Sequence, residues 1–236
     1  MTIKRFGESL PHWTPPVGPG PQAIEGQFVR LERLEADAHA ADLFRAYSGH
    51  DALWDYLFIG PFSSASAYHR WAKEATGLAD PVCYVLRDRV TGHCGGVASF
   101  MRIAPKDGTI EVGGICIAPE LQGGRAWTEA MFLMMDWAFS AGYRRYEWKC
   151  DALNLPSRRA AQRLGFSYEG LFRQAVVYKG RNRDTAWFSV IDSEWPALRE
   201  AFRVWLSPTN FDATGRQKER LSDLTRLTRG GSDPSL

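Results

Sequence analysis

An apolar strand that runs directly into a glycine-bearing turn and a helix constrains this chain more than any other feature. Residues 110–117 read Ile-Glu-Val-Gly-Gly-Ile-Cys-Ile, and residues 118–131 contain the turn and the start of an amphipathic helix. Such an arrangement points backbone N–H groups and a helix N-terminus at one spot, which suits an anion such as a pyrophosphate. The segment therefore predicts a site for a phosphate-bearing ligand.

The composition bounds the class of protein. The chain has 236 residues, of which 44% are hydrophobic and 24% charged, and this fits one large globular domain with a full core. A formal net charge of +2 gives no general electrostatic case for nucleic acid or a membrane as a partner. No apolar run reaches the length of about 18 residues that a membrane span needs. Residues 1–10 carry charges and lack the apolar region of a secretory signal.

The cysteines and histidines do not predict a metal site. The four cysteines are scattered without a CxxC spacing, and the five histidines show no ligand spacing. Free thiols in a reducing cytoplasm are therefore expected, and the predicted location is cytoplasmic. Cys116 and Cys150 are expected to be inert core thiols, because no His or Asp partner lies near them in sequence.

The sequence divides into three predicted segments. Residues 1–26 form an arm rich in proline and glycine, draped on the surface or on a partner, and residues 207–236 form a polar tail that is partly helical or disordered. Between them, residues 27–206 predict a strand, helices, three antiparallel-looking strands, a helix, a strand, a helix and two strands. This order lacks the strict βαβ alternation of a dinucleotide-binding sheet.

Within residues 27–206 the chain resembles the GCN5-related N-acetyltransferase (GNAT) superfamily, in the branch of ribosomal-protein N-terminal acetyltransferases (RimJ/RimL-type). Three matches in the same order and spacing carry the resemblance. They are a pyrophosphate loop at 119–130, an Asn-x-x-Ser…Leu-Gly-Phe segment at 150–166, and a C-terminal hairpin and last helix with matches at 171–173, 179–184 and 194–195.

The resemblance implies an α/β fold with a mixed, mostly antiparallel sheet of six or seven strands, flanked by helices and splayed at its central strands to admit coenzyme A. It implies direct transfer of an acyl group, with acetyl-CoA as the expected donor, to a primary amine in a ternary complex. The acceptor is a protein N-terminus or a small amine. The alternatives are a succinyl-CoA-type donor and a non-catalytic sensor that binds coenzyme A. A homodimer is left open.

The coenzyme is expected to bind along the strand and the turn. A glycine pair at 113–114 is a natural place for a bulge that splays the strand, although an ordinary close-packed sheet is the alternative. The strand would then offer backbone groups to pantetheine at Ile115, Cys116 and Ile117. The turn and helix start would hold the diphosphate through Gln122, Gly123, Gly124, Arg125, Ala126, Trp127 and Thr128.

Two positions in this loop depart from the family pattern. Arg125 stands where the family has glycine, and Trp127 stands where it has glycine or alanine. An arginine cannot give the close backbone approach of a glycine, but its guanidinium can contact a phosphate. Trp127 narrows the space at the helix start. Asn154 is expected either to bond the pantetheine amide or to cap its helix.

Two residues are predicted to act on protons. Glu111 lies six residues before Ile117, as does the general base of the histone-acetylating members, and burial in an apolar strand would raise its pKa. Alternatively, it binds a cationic substrate or faces water. Ser157, three residues after Asn154, matches the serine that the ribosomal-protein branch is thought to use at the coenzyme sulfur. Its alternative is to satisfy a free N–H in the first helical turn. Ala161 replaces the tyrosine of many relatives.

Overall fold

The computed structural model describes residues 4–236, which form a mixed sheet of eight strands with helices on both faces. The strands are β1 (Ala23–Glu25), β2 (Val29–Arg33), β3 (Val82–Asp88), β4 (Cys94–Ala104), β5 (Thr109–Ile117), β6 (Arg145–Asp151), β7 (Ser167–Tyr178) and β8 (Arg181–Ile191). The helices are α1 (Ala36–Tyr47), α2 (Ala65–Thr76), α3 (Arg125–Ser140), α4 (Leu155–Arg163), α5 (Trp195–Leu206) and α6 (Leu221–Thr225), with 3-10 turns at Asp51–Trp54, Pro119–Leu121 and Pro208–Asn210.

The predicted fold class is confirmed, and the sheet has eight strands, one more than the upper predicted number of seven. The sheet order is β1-β2-β3-β4-β5-β6-β8-β7, and every neighbouring pair is antiparallel except β5 and β6. The missed strand is β1, which lies inside the predicted arm. Its three residues are too few to show the alternation that reveals a strand in sequence.

Alternation along the strands builds two separate cores. On β3, Tyr84 packs with the core under α3 and α5, whereas the next residue, Val85, packs with the core under α1 and α2. Helices α1 and α2 belong to the half of the sheet that runs from β2 to the end of β5. On this same face, the part of the sheet formed by β5, β6 and β8 carries charged and polar side chains instead of an apolar core.

The sheet is splayed at its centre, as the resemblance predicted. The parallel ladder between β5 and β6 has three rungs, of which Glu111 opposite Glu147 is the last. Beyond that rung β5 continues to Ile117 and β6 to Asp151 without pairing with each other. We call the space between these two separated ends the splay gap.

A β-bulge lies on β5 beside the splay gap. Gly113 pairs with Ser99 and Cys116 pairs with Val97, so one residue of β4 faces two residues of β5. Gly114 lies in the bulge with φ 59°, a left-handed conformation that favours glycine. The glycine pair therefore has the conformational role that the sequence indicated.

Both terminal segments pack on the domain. In the arm, the carbonyl oxygen of Pro21 accepts a hydrogen bond of 2.7 Å from the Tyr84 hydroxyl. In the tail, the carboxylate of Asp233 accepts two hydrogen bonds of 2.6 Å from Arg158 on α4, and both side chains are buried. Among residues 4–236, no helix has the length and apolar character that crossing a membrane requires.

Candidate active site

Glu111 lies at the point where the central strands separate. It occupies the last rung of the parallel ladder, and only 5% of its surface is exposed. Its Oε2 lies 3.0 Å from Lys149 Nζ and 3.0 Å from Arg102 Nε. Burial raises the pKa of this carboxyl group, while the charges of Lys149 and Arg102 oppose the rise. The site thus holds a carboxylate whose proton affinity is higher than that of an exposed glutamate.

Lys149 connects Glu111 to a chain of alternating charges on β6. Its Nζ also lies 2.8 Å from Glu147 Oε2, and Glu147 Oε1 is 2.7 Å from Arg145 Nε. Arg145 in turn forms a bidentate pair with Glu169 on β7. Glu111, Lys149, Glu147 and Arg145 each therefore have a partner of opposite sign, which is the condition for keeping charges in a protein interior.

The end of β5 contributes the predicted pantetheine-binding residues. The backbone of Ile115, Cys116 and Ile117 lies beyond the last rung to β6, at the edge of the splay gap. Two of its carbonyl groups accept side-chain hydrogen bonds, Cys116 from the Tyr47 hydroxyl at 3.1 Å and Ile117 from Gln122 Nε2 at 2.9 Å. Burial raises the pKa of the Cys116 thiol to about 12, so this cysteine is a poor nucleophile.

The turn after β5 forms a cradle of backbone donors. Gly123 has φ 70°, and a side chain added there would meet no atom within 4 Å. Within residues 4–236, the N–H groups of Gly123, Arg125, Ala126 and Trp127 donate to no protein acceptor. Four free donors at the start of a 16-residue helix suit the two phosphates of a diphosphate group.

The side chains of this turn have separate roles. Ala126, Trp127 and Thr128 are buried, so only their backbone faces the cradle. The Thr128 hydroxyl donates to the Gly124 carbonyl oxygen at 3.0 Å, which fixes the first turn of α3. The Gln122 side chain donates its hydrogen bond to the Ile117 carbonyl oxygen and so joins the turn to β5.

Arg125 is held by two aromatic rings. Its guanidinium carbon lies 4.9 Å from the centre of the Phe28 ring and 4.6 Å from that of Phe211. In the described part of the chain it forms no hydrogen bond and no ion pair through its side chain. Because the rings cover the faces of the guanidinium, its N–H edges remain available to a phosphate.

The two polar residues of the α4 segment lie on the β6 side of the splay gap. Asn154 caps α4, since its Oδ1 accepts a hydrogen bond of 3.1 Å from the Ser157 N–H. The Ser157 Oγ accepts one of 3.1 Å from Trp148 Nε1 on β6. The cap role proposed for Asn154 is therefore present, and it positions Ser157. Burial raises the pKa of the neighbouring Cys150 thiol to about 11.

Sequence reasoning missed the cations around Glu111. Lys149 and Arg102 were not singled out, although β6 reads Arg-Tyr-Glu-Trp-Lys-Cys-Asp, with charged residues alternating with apolar ones. That alternation puts Arg145, Glu147 and Lys149 on one face of the strand and could have identified a charged face. The sequence does not show which strand lies beside β6, or in which register, so it could not place Lys149 next to Glu111.

The aromatic residues that follow α1 divide into two groups. One group packs internally, with Trp54 and Phe62 both in edge contact with Tyr68. The other reaches across the open face, where the Phe58 ring lies 5.2 Å from that of Tyr178 and the Tyr56 hydroxyl donates to the Leu153 carbonyl oxygen at 3.3 Å. Among residues 4–236, no group of three or more His, Cys, Asp or Glu side chains could hold a metal ion.

Comparison with known proteins gives the family. Residues 29–167 match the acetyltransferase (GNAT) domain. A GCN5-related N-acetyltransferase from Brucella melitensis has 46% identity and a TM-score of 0.90, over 92% of this chain and 100% of that one. The uncharacterized N-acetyltransferase p20 of Bacillus licheniformis is 27% identical over 174 residues, which cover 70% of this chain and 95% of that protein.

A more distant structural relative bears on the predicted branch. It is the Salmonella typhimurium acetyltransferase that modifies the N-terminal serine of 50S ribosomal subunit protein L7/L12, with a TM-score of 0.62 and 21% identity over 70% of this chain and 96% of that one. At that identity the likeness is one of fold alone. The chain belongs to the GNAT family and is an acyl-CoA-dependent N-acetyltransferase.

Proposed function

We propose that this enzyme transfers the acetyl group of acetyl-CoA directly to a primary amine, with Glu111 as the general base. The observation that carries the proposal is the position of Glu111. Its buried carboxylate lies on the last rung before the splay gap, where β5 separates from β6. A base at that point can meet an amine that approaches a thioester held in the gap.

The diphosphate of the coenzyme would bind the free N–H groups of residues 123–127 and the guanidinium of Arg125. Pantetheine would then run along Ile115, Cys116 and Ile117 into the splay gap. This path begins at the cradle and ends beside the bulge, so the length of β5 between them sets the position of the thioester.

The chemical step requires a neutral amine. An alkylammonium group has a pKa of about 10, so it must lose a proton before its nitrogen can attack. Glu111 takes that proton, the nitrogen forms a bond to the thioester carbonyl carbon, and the C–S bond breaks. The nitrogen then gives up a second proton, which neutralises the departing thiolate, so the products are the neutral amide and the free thiol of coenzyme A. The raised pKa of Glu111 makes it a better proton acceptor than an exposed carboxylate.

The departing thiolate needs a hydrogen-bond donor or a proton. Ala161 stands where many relatives have a tyrosine, so that position has no hydroxyl group. The first turn of α4 presents Ser157 instead. Because Ser157 Oγ already accepts from Trp148 Nε1, its own proton is free to point at the sulfur. We assign Ser157 the role of a hydrogen-bond donor to the leaving group.

The class of acceptor and the branch of the GNAT family to which this enzyme belongs are also parts of the proposal. A ribosomal-protein N-terminus is one candidate, since a relative of the same fold modifies one, and a small amine is the other. The choice of acetyl-CoA over a succinyl-CoA-type donor is also proposed, from the family's acetyltransferase domain. The homodimer stays a prediction.

The test is a mass-spectrometric assay of the purified protein with acetyl-CoA and a panel of amines. It is run on the wild type, on Glu111→Gln, and on Glu169→Gln as a control with the same chemical change on the same face of the sheet. We expect Glu111→Gln to lower kcat by at least about tenfold, with partial recovery at high pH where the amine deprotonates unaided. Glu169→Gln should keep most of the activity.

Three results would contradict the proposal. Saturable acetyl-CoA binding without acylation of any amine would favour a non-catalytic sensor. An unchanged pH–rate profile in Glu111→Gln would remove Glu111 from the base role. Faster transfer from succinyl-CoA in a donor competition would replace the proposed donor.

A further inference from the structure

Arg183 on β8 is a buried cation without an anionic partner. Only 7% of its surface is exposed. Its guanidinium carbon lies 4.9 Å from the centre of the Phe58 ring and 5.6 Å from that of Tyr178. Among residues 4–236, no carboxylate oxygen lies within 4.0 Å of its nitrogens, and its Nε is buried without any hydrogen-bond partner.

Two carboxylates beside this part of β8 are already engaged elsewhere. Asp151 accepts hydrogen bonds from the Tyr178 hydroxyl at 2.8 Å and from the Leu153 N–H at 2.9 Å. Asp184, the next residue on β8, accepts from the Gln174 N–H at 2.8 Å and from Asn182 at 3.0 Å. The two rings give Arg183 cation–π contacts, but a desolvated guanidinium gains much more from an anion.

Two further donors on the same face of β8 also lack partners. Thr185 Oγ1 and Trp187 Nε1 are buried and form no hydrogen bond. Because side chains alternate along a strand, Arg183, Thr185 and Trp187 all project from one face. This is the face of β6 that carries Lys149, since Lys149 lies opposite Trp187 in the ladder.

This row of donors leads toward the proposed base. Lys149 Nζ lies 3.7 Å from the centre of the Trp187 ring and 3.0 Å from Glu111 Oε2. Glu111 pairs with Glu147 of β6, and Glu147 pairs with Ser189 of β8. Ser189 lies six residues from Arg183, or about 20 Å along the strand. Long side chains and the acceptor itself must bridge this distance.

We propose that the acceptor amine carries an anionic group, a carboxylate or a phosphate, which binds Arg183 while the amine meets Glu111. The proposal rests on the proposed amine acetylation and names the class of its acceptor. Arg183 pairs with the anion through its N–H edges, and Thr185 and Trp187 donate to polar atoms between the two ends. Phe58, which is 60% exposed, forms the outer wall at Arg183.

The main experiment compares acceptors that differ by one charge. The panel contains four-residue peptides with Glu or Gln at the second, third or fourth position, ω-amino acids paired with their amides, and peptides with phosphoserine or serine. Each pair is assayed for acetyl transfer with wild type, with Arg183→Gln, and with Arg181→Gln. Arg181 is the matched control because it is an exposed arginine on the same strand.

We expect the wild type and Arg181→Gln to prefer the anionic member of a pair by at least about tenfold in kcat/KM, mainly through KM. Arg183→Gln should lose that preference while it still acetylates the neutral member at a similar rate. Preference for phosphoserine peptides alone would identify phosphate, and preference for carboxylates alone would identify a carboxylate. Equal rates within every pair, or a preference that survives in Arg183→Gln, would overturn the proposal.

A binding measurement separates this proposal from the proposed function. If no amine in the panel is acetylated, the function fails, and the anion site is then judged by the shift in Tm that inorganic phosphate or glutarate produces. A shift in wild type and Arg181→Gln that Arg183→Gln lacks would support the site. Equal shifts in all three proteins, or none, would overturn it.

Discussion

Lys149 Nζ lies 3.0 Å from Glu111 Oε2 and 2.8 Å from Glu147 Oε2, so one buried ammonium group is shared by two carboxylates. Burial is the main cause of the raised pKa of Glu111, Lys149 opposes it, and the negative charge of Glu147 adds to it. A general base works only when it is deprotonated, so the rate falls as the pH drops through its pKa. The acidic limb of the pH–rate profile therefore reports the balance among these three residues.

Lys149→Met should move this acidic limb to higher pH. Removal of the ammonium group takes away the largest influence that lowers the pKa of Glu111, while the burial that raises it remains. We expect the acidic limb of kcat/KM to move to higher pH, with most of the lost activity recovered there. An acidic limb that stays in place, or moves to lower pH, would contradict the proposed base.

Glu147→Gln should move the limb in the opposite direction. The substitution removes the second carboxylate from Lys149, so the ammonium group acts on Glu111 alone and the pKa of Glu111 falls. The pH dependence of kcat/KM, measured beside Lys149→Met, checks the sign. A structural disturbance alone would lower the plateau rate in both variants without moving the two limbs apart.

Gly113→Ala should disturb the carboxylate at the bulge. An added Cβ would lie 2.4 Å from Met101 Sδ and 3.1 Å from Glu111 Oε1, so one of these side chains must move. We expect kcat to fall by about tenfold, with a smaller relative change in the affinity for acetyl-CoA. The double variant with Met101→Ala provides room and should recover part of the rate, whereas a double variant no better than Gly113→Ala would contradict this account.

The local features of the site could be predicted from sequence, and the pairings between distant segments could not. The glycine pair at 113–114 indicated a bulge because few other residues tolerate its geometry, and the turn after it indicated an anion cradle. The partners of Glu111 depend on the register of β5 against β6, which no local pattern encodes. The same holds for Arg158 and Asp233, which are 75 residues apart. From composition, the segment that contains Asp233 could be predicted only as a polar tail.

Arg125→Ala tests the cradle at the start of α3. The guanidinium carbon lies 4.9 Å from the centre of the Phe28 ring and 4.6 Å from that of Phe211, and the guanidinium sits on the residue that begins α3, beside the free backbone donors. Loss of charge-assisted hydrogen bonds to a phosphate should weaken acetyl-CoA binding by about tenfold. The control is Arg159→Ala, which removes an exposed arginine from α4 and should leave the affinity unchanged. Calorimetry measures the dissociation constant of acetyl-CoA for each variant and for the wild type. Equal values for Arg125→Ala and the wild type would mean that Arg125 stabilises the packing of Phe28 and Phe211 without touching the coenzyme.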